Sequence, residues 1–417
     1  MGNQVDKRDF LPVYPDPHEL SCAVNQIRRA PDIVQVSHIR QLQEQLALAG
    51  QGQAFIVQGG DCAERFSDAT RYHVRAKIGS LLQTGFIISR LSSRPVVPVG
   101  RIAGQYAKPR THETEQRDGI VLPSYRGDAI NSHVFTSQAR TPDPQRLVQA
   151  IESAQTAYRY IRELEVTDFL SNAHALEWNT SGYPSPQYQR FNELVTSEYV
   201  DGGPRNIYIS HEALLPFYEQ ALTDREHWNR GAHMLWVGER TRYVESPQMA
   251  YLASINNPIG VKLGPNASGS DIHQIMDMLN PHGVPGRLVF IPRMGVSRIR
   301  EKLPELLVAA RENGRPVTWL VDPMHGNTQT IAGRKIRFLP DIISEIEKFF
   351  QLCAQYETIA GGMHIEFSGH NVTEIADSCD DLNWTHTVDH PLVDPRLNPR
   401  QLLEVAFAAG KFMATQQ

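Results

Sequence analysis

The stretch Val317-Thr-Trp-Leu-Val-Asp322-Pro-Met-His325-Gly-Asn-Thr328 joins a short apolar run to a polar loop that carries a histidine. The run 317–321 has the composition of a buried strand, and the Asp-Pro step ends it abruptly. α/β barrels build their active sites from loops that follow the carboxyl ends of such strands. An ordinary strand and turn, with His325 bonded to a backbone group, would give the same pattern. The other apolar runs of the chain distinguish the two interpretations.

Seven other short apolar runs share this pattern and alternate with helical patterns. The runs are 54–57, 95–100, 206–210, 233–237, 259–263, 288–291 and 363–367. The helical patterns lie near 71–91, 246–256, 271–280, 297–313, 340–356 and 398–413. Strands that alternate with helices indicate parallel βαβ units, and eight units predict an α/β fold, the closed (β/α)8 TIM barrel. An open doubly wound sheet is the alternative, which the lack of a GxGxxG loop after the first strand weakens.

Two segments fall outside the strand and helix alternation. Residues 1–53 are predicted to form an N-terminal extension whose helix, from Ser37 to Ala49, packs on the barrel with Ser37 as its N-cap. Residues 54–417 are predicted to form the barrel, interrupted after the second strand by an insertion at about 101–206. The insertion is too long for a simple loop and has helical patterns near 143–165 and 187–200.

The composition narrows the class of protein. Of 417 residues, 41% are apolar, and the net charge of -5 argues against a general nucleic-acid or anionic-membrane surface. No apolar run is long enough to span a bilayer, and the N-terminus lacks the hydrophobic core of a signal peptide. The four cysteines show no CxxC spacing. We therefore expect a cytoplasmic enzyme or binding protein with no nucleic-acid or membrane partner.

Basic side chains follow several of the predicted strands. They are Arg101, Lys108, Arg240, Lys262 and Arg293. Cations that converge on one mouth of a barrel repel each other unless an anion neutralises them, and arginine suits phosphate and carboxylate. The pattern predicts a substrate with several negative charges, most simply phosphate. Arginines paired with local carboxylates on separate loops are the alternative.

A possible metal site comes from the same strand ends. Cys62, His325 and Glu366 offer a thiolate, an imidazole and a carboxylate, a set that suits a borderline divalent ion. His364 would face the same side of its strand as Glu366 and is a rival ligand, and Asp394 is a possible fourth. Without a metal, Cys62 would be an ordinary small buried residue and Asp394 a helix cap. If the ion is removed, we expect the surrounding cations to lower the pKa of Cys62 and make it reactive.

Nine motifs, in this order, resemble the class II 3-deoxy-D-arabino-heptulosonate 7-phosphate (DAHP) synthase family, from about residue 30 onward. They are Gln58-Gly-Gly-Asp-Cys-Ala-Glu64, Lys108-Pro-Arg-Thr111, Gly238-Glu-Arg-Thr-Arg242, Val261-Lys-Leu-Gly-Pro-Asn266, Ile291-Pro-Arg-Met-Gly295, Asp322-Pro-Met-His-Gly-Asn-Thr328, Gly361-Gly-Met-His-Ile-Glu366, Asn371-Val-Thr-Glu374 and Asp394-Pro-Arg-Leu-Asn398.

The resemblance implies a (β/α)8 barrel that condenses phosphoenolpyruvate with erythrose 4-phosphate and water to DAHP and phosphate. It implies a divalent metal, Mn²⁺ first and Co²⁺ or another first-row ion second, on Cys62, His325, Glu366 and Asp394. Phosphoenolpyruvate would be held by a basic set with one acid, namely Arg101, Glu239, Arg240, Lys262 and Arg293. The loop Lys108-Pro-Arg110-Thr111 would serve erythrose 4-phosphate. With Cys62, the catalytic residues would be Lys262 as acid and Glu239, which would orient or deprotonate the water.

The chain departs from the family pattern at His370, Ile375 and Val393, none of which is a proposed ligand. Its N-terminal segment is short beside members with extra regulatory elements, so we expect weak or no inhibition by aromatic amino acids. That would suit a secondary pathway such as phenazine synthesis. We also expect a homo-oligomer, either a dimer or a tetramer. A metal-dependent barrel hydrolase and a non-catalytic sugar-phosphate-binding protein are the rival functions; the first would normally show an early His-x-His pair, which is absent.

Overall fold

A computed structural model, which describes residues 10–179, 184–197, 202–331, 333–378 and 391–415, contains a closed barrel of eight parallel strands. The strands are β1 Phe55–Gly60, β2 Val96–Arg101, β3 Tyr208–Glu212, β4 Met234–Val237, β5 Ile259–Leu263, β6 Leu288–Pro292, β7 Thr318–Val321 and β8 Ala360–Glu366. Each strand pairs with its neighbours in sequence, and β1 closes the barrel on β8, with Gly60 opposite Glu366. The prediction of a (β/α)8 barrel is confirmed.

The described residues also form twelve α-helices. They are α1 Pro17–Ile27, α2 Val36–Gly50, α3 Arg71–Ser92, α4 Ser137–Arg140, α5 Gln145–Val166, α6 Pro186–Ser197, α7 Pro216–Ala221, α8 Pro247–Ala253, α9 Gly269–Leu279, α10 Ile299–Asn313, α11 Leu339–Gln355 and α12 Pro399–Ala414. Short 3-10 helices occupy Phe66–Asp68, Asn172–Trp178 and His325–Asn327. Two antiparallel hairpins, Thr114–Arg117 with Ile120–Pro123 and Gln329–Ile331 with Arg334–Ile336, stand outside the barrel.

The interior of the barrel changes from apolar to polar along its axis. At the amino-terminal end, Leu42, Leu46 and Ala49 of α2 pack on inward-facing apolar residues of the strands. Half-way up, Gln58 donates to the Ser210 hydroxyl (Nε2 to Oγ, 3.0 Å) and its Oε1 lies 2.8 Å from Nδ1 of His364. Above this polar layer the carboxyl ends of the strands carry the charged residues. The fold therefore places the predicted site residues on one face.

The N-terminal segment contains a helix that the sequence analysis did not identify. Helix α1 begins after Asp16, whose carboxylate accepts from the backbone N–H groups of His18 (2.7 Å) and Glu19 (3.2 Å), with Pro17 in the first turn. These are standard start signals for a helix. The next helix begins at Val36 rather than after Ser37, so the prediction that Ser37 caps it is wrong.

The segment between β2 and β3 contains α4, α5, α6, one hairpin and a 3-10 helix. The pattern near 143–165 corresponds to α5, and the pattern near 187–200 to α6, although 198–201 lie outside the described residues. Among the described residues, no helix is both long enough and apolar enough to cross a membrane.

Candidate active site at the carboxyl ends of the strands

Three proposed metal ligands lie together at the mouth of the barrel. Cys62, Glu366 and Asp394 are buried, and their donor atoms lie within 4.8 Å of one another. The fourth, His325, joins them through its Nε2, which is 3.1 Å from Oε1 of Glu366. Glu366 ends β8, Cys62 follows β1 and His325 follows β7, so three adjacent strands supply three of the donors. The structure brings all four residues together.

The ammonium group of Lys108 occupies the point where these donors converge. Its Nζ contacts Sγ of Cys62 and Oδ2 of Asp394, and lies 4.0 Å from Oε1 of Glu366. Three donor atoms around one cation show that the cluster is arranged to hold positive charge. A thiol, an imidazole and two carboxylates also match the donors that first-row divalent metals prefer. The residues therefore fit a metal ion.

A carboxylate behind His325 fixes the orientation of its ring. Oδ2 of Asp322 lies 2.7 Å from Nδ1 of His325 and 3.0 Å from Nζ of Lys262. Burial lowers the pKa of His325, which favours the neutral form of its ring. We assign the ring proton to Nδ1, which donates to Asp322 and leaves Nε2 free to coordinate a metal. The sequence analysis did not give Asp322 this role.

Two arginines hold Glu366 from opposite sides. Nη2 of Arg101 is 3.0 Å from Oε1, and Nη1 of Arg337 is 2.7 Å from Oε2. Arg101 also donates to the carbonyl groups of Asp61 (3.0 Å) and Cys62 (3.1 Å). Its guanidinium is therefore engaged within the protein and joins the loop after β1 to the end of β8 beside the cluster. Neither Arg337 nor its contact was expected from the sequence.

A second ionic network anchors the loop that carries Cys62. Asp61 binds Lys77 (2.5 Å) and Arg396 (2.6 Å), and Arg396 also binds Glu374 (2.6 Å). Since Arg396 lies two residues beyond Asp394, the network links the loops of two proposed ligands. Glu64 accepts the backbone N–H groups of residues 103–105, which fixes the chain after β2 to the same loop.

The rival ligand His364 lies below the cluster. Its ring is fully buried, with Nδ1 bonded to Gln58, Nε2 facing Arg101 and the ring of Trp236 nearly perpendicular to it. Both ring nitrogens are therefore engaged in the polar layer inside the barrel.

The remaining basic residues surround the cluster on the solvent side. Arg240 donates to the Pro109 carbonyl (3.1 Å) and to the Thr111 hydroxyl (2.8 Å), which joins the loop after β4 to the Lys108–Thr111 loop. Nη2 of Arg293 donates to the His325 carbonyl (3.0 Å), while its buried Nε has no partner among the described residues. Arg110 turns instead toward Glu115 (3.4 Å).

The carboxylate of Glu239 is already paired. Its Oε2 lies 2.8 Å from Nε of Arg242 and accepts the backbone N–H of Gly264, and its Oε1 lies 3.3 Å from Nη2 of Arg242. Three donors from the protein therefore already occupy the oxygens of this carboxylate.

The expectation that neighbouring cations lower the pKa of Cys62 is wrong. Burial, followed by the charge of Glu366, raises the pKa of its thiol to about 12, although Lys108 and Arg101 act in the opposite direction. The thiol is also fully buried. The neighbouring cations therefore do not lower the pKa of Cys62 below its ordinary value, and the reactivity of the thiol after metal removal stays a prediction.

Comparison with known sequences identifies the family to which the chain belongs. A profile of the class-II DAHP synthetase family matches residues 4–410. A phospho-2-dehydro-3-deoxyheptonate aldolase of Streptomyces coelicolor is 37% identical over 427 aligned positions, covering 97% of this chain and 95% of that protein. The aldolase AroG of Mycolicibacterium smegmatis is also 37% identical, covering 95% of this chain and 91% of its own length. The chain therefore belongs to the class-II DAHP synthetase family.

Proposed function

We infer that the protein condenses phosphoenolpyruvate with erythrose 4-phosphate and water, giving DAHP and phosphate. The observation that carries this conclusion is the convergence of Cys62, His325, Glu366 and Asp394 beneath a ring of cations, in a chain that matches the family over nearly its whole length. The family is metal-dependent, and we propose Mn²⁺ as the resident ion. When bound, the metal polarises the aldehyde oxygen of erythrose 4-phosphate.

We propose that Lys262, Arg240 and Arg293 bind the carboxylate and phosphate of phosphoenolpyruvate, with Arg101 supporting the site from below. The Lys108–Thr111 loop would then receive the phosphate of erythrose 4-phosphate. Holding two anions side by side against their repulsion is the main task of these cations. Burial lowers the pKa of Lys262, which makes its ammonium a better proton donor to the developing alkoxide.

The test is a phosphate-release assay with both substrates, each substrate alone, and both substrates with a chelator. We expect release only with both substrates and without the chelator, with DAHP formed in equal amount. Release from one substrate alone at a comparable rate would mean a phosphatase, and binding of both without turnover would mean a sugar-phosphate-binding protein.

A variant pair tests the basic set. Lys262→Met should weaken phosphoenolpyruvate binding by about 1.5–3 kcal/mol, the value of a hydrogen bond to a charged group. Lys348→Met, which removes a lysine of α11 that donates to the Val296 carbonyl (2.9 Å), should leave binding unchanged. Equal effects of the two substitutions would contradict the proposed site.

A feeder role in phenazine synthesis, weak inhibition by aromatic amino acids and a homo-oligomeric state remain proposals from the sequence. Inhibition assays with phenylalanine, tyrosine and tryptophan, and sedimentation of the purified protein, test the last two.

A further inference from the structure

The carboxylate of Glu212 stands unpaired at the mouth of the barrel. Glu212 is the last residue of β3, two residues after Ser210, whose hydroxyl points into the barrel to accept from Gln58. Side chains two apart on a strand share a face, so Glu212 also points inward, one layer higher. Its Oε1 lies against Gly238 at the end of β4, where any side chain would collide with it.

Oε1 of Glu212 is buried and has no hydrogen-bond partner among the described residues. A buried acceptor without a partner costs about 1–3 kcal/mol, so its retention calls for a donor from a ligand. Glu212 also has no ion-pair partner in the described part of the chain, although four cations face it. They are Lys262, Lys108, Arg101 and Arg240.

Three of these cations are neutralised by other carboxylates. Lys262 is paired with Asp322 (3.0 Å), Arg101 with Glu366 (3.0 Å), and Lys108 with Asp394. Burial therefore outweighs their charge and raises the pKa of Glu212. Glu212 thus combines the two features of a proton acceptor, an open oxygen and increased basicity, whereas the oxygens of Glu239 are occupied by Arg242 and Gly264.

We propose that Glu212 is the catalytic base that takes the proton from the attacking water; this inference rests on the proposed function. The enol carbon of phosphoenolpyruvate forms a bond to the aldehyde carbon, and the aldehyde oxygen takes a proton from Lys262. The phosphate-bearing carbon becomes electron-poor, and the water oxygen bonds to it as one O–H bond breaks. That proton passes to Oε1 of Glu212. The bond from carbon to the phosphate oxygen then breaks with its electron pair going to the phosphate, and the remaining hydroxyl passes its proton to that phosphate to leave the ketone.

The test compares Glu212→Gln with Glu239→Gln at saturating metal and substrates. For Glu212→Gln we expect kcat to fall by roughly 10²–10⁴, the usual value of general base catalysis, with little change in KM or in metal affinity measured by calorimetry. Glu239→Gln should raise KM more than it lowers kcat, because it loosens the loop that carries Arg240. Glu165→Gln is the matched control, since burial also raises the pKa of Glu165 but this residue lies in the insertion, bonded to the Ile207 N–H (2.9 Å).

The pH profile separates a catalytic role from a structural one. In the wild type, kcat should fall as the pH drops through the raised pKa of Glu212, because a protonated carboxyl cannot accept the proton. This acid limb should be absent in Glu212→Gln and displaced in Glu212→Asp, which also serves if the glutamine variant does not fold.

Wild-type activity in Glu212→Gln, or loss of the acid limb in Glu239→Gln instead, would overturn the assignment. Failure of the proposed function gives a different result, because the wild type itself would then form no DAHP.

Discussion

At the amino-terminal end of the barrel, helix α2 covers the strands with Leu42, Leu46 and Ala49, whereas the carboxyl end is lined by ionised groups that neutralise one another. The first end is stabilised by burial of apolar surface, which is non-directional. The second depends on paired charges, whose burial contributes little net stability but fixes geometry. The two ends should therefore respond differently to substitution, the first in stability and the second in metal binding and turnover.

The largest effect is expected from Cys62→Ser, which removes the sulfur atom from the proposed ligand set. Activity and metal affinity should fall by more than the roughly 10–100-fold cost of losing an outer-shell partner. Calorimetric titration with Mn²⁺ measures the affinity, and the denaturant midpoint of the metal-free variant should stay near that of the wild type. If metal-free Cys62→Ser unfolded at a much lower denaturant concentration than the wild type, the carboxyl end of the barrel would also contribute to stability, and the proposed difference between the two ends would be wrong.

Leu46→Ala should lower the stability of the fold and leave turnover unchanged, which is the opposite of the result expected for Cys62→Ser. Leu46 is fully buried, and truncation of such a leucine costs about 2–5 kcal/mol of unfolding free energy. Below its unfolding temperature the variant should keep the wild-type kcat. Leu48→Ala, at a partly buried position of the same helix, is the control and should lose less stability in urea unfolding.

An intermediate effect is expected from Asp322→Asn, which keeps the shape of the side chain but weakens its hold on His325 (2.7 Å) and Lys262 (3.0 Å). Metal affinity should fall by about 10–100-fold while the four ligands remain. Asp277→Asn, at an exposed position of α9, should leave affinity unchanged. An unaltered affinity in Asp322→Asn would mean that the ring of His325 is held by other contacts.

The smallest effect concerns pH at the amino-terminal end. Burial, followed by the charge of His38, lowers the pKa of His233 to about 3, and Nδ1 of His233 accepts the Ile209 N–H (2.9 Å). A lowered pKa stabilises the fold above the unfolded value of 6.5, and this contribution is lost as the pH falls from 6.5 toward 3. The loss is at most about 1.4 kcal/mol per pH unit.

Unfolding free energies at pH 7.5 and 5.5 for the wild type and His233→Gln measure this contribution. The difference between the two proteins should shrink at the lower pH. A constant difference would show that His233 does not titrate on unfolding in this range.

Most of the barrel could be predicted because its strands are apolar runs separated by helices. The predicted strand ends were less accurate, and an error of two residues there changed which side chains were assigned to the site. The third strand was predicted to stop at Ser210, whereas it continues to Glu212. The sequence analysis therefore passed over the open carboxylate that the structure places at the mouth.

Partners in space could not be predicted from the sequence either. Nothing near Glu239 in the sequence indicates that Gly264 donates to it, and nothing near Cys62 reveals how deeply the thiol is buried. These contacts and this burial depend on how the strands meet in space. Helix α1, by contrast, could have been predicted from the sequence, because Asp16-Pro17 is a typical start signal for a helix.

The pairing of β1 with β8 has a consequence for biosynthesis. Cys62 emerges early from the ribosome, but Asp394 is translated 332 residues later, and the network through Arg396 is equally late. Contacts so distant in sequence form slowly and expose unpaired strand edges in the meantime. The proposed metal site cannot assemble on a nascent chain that has not yet been translated as far as Asp394. If Cys62 and Asp394 bind a metal as proposed, its uptake would show that translation has passed the final strand and that the barrel has closed.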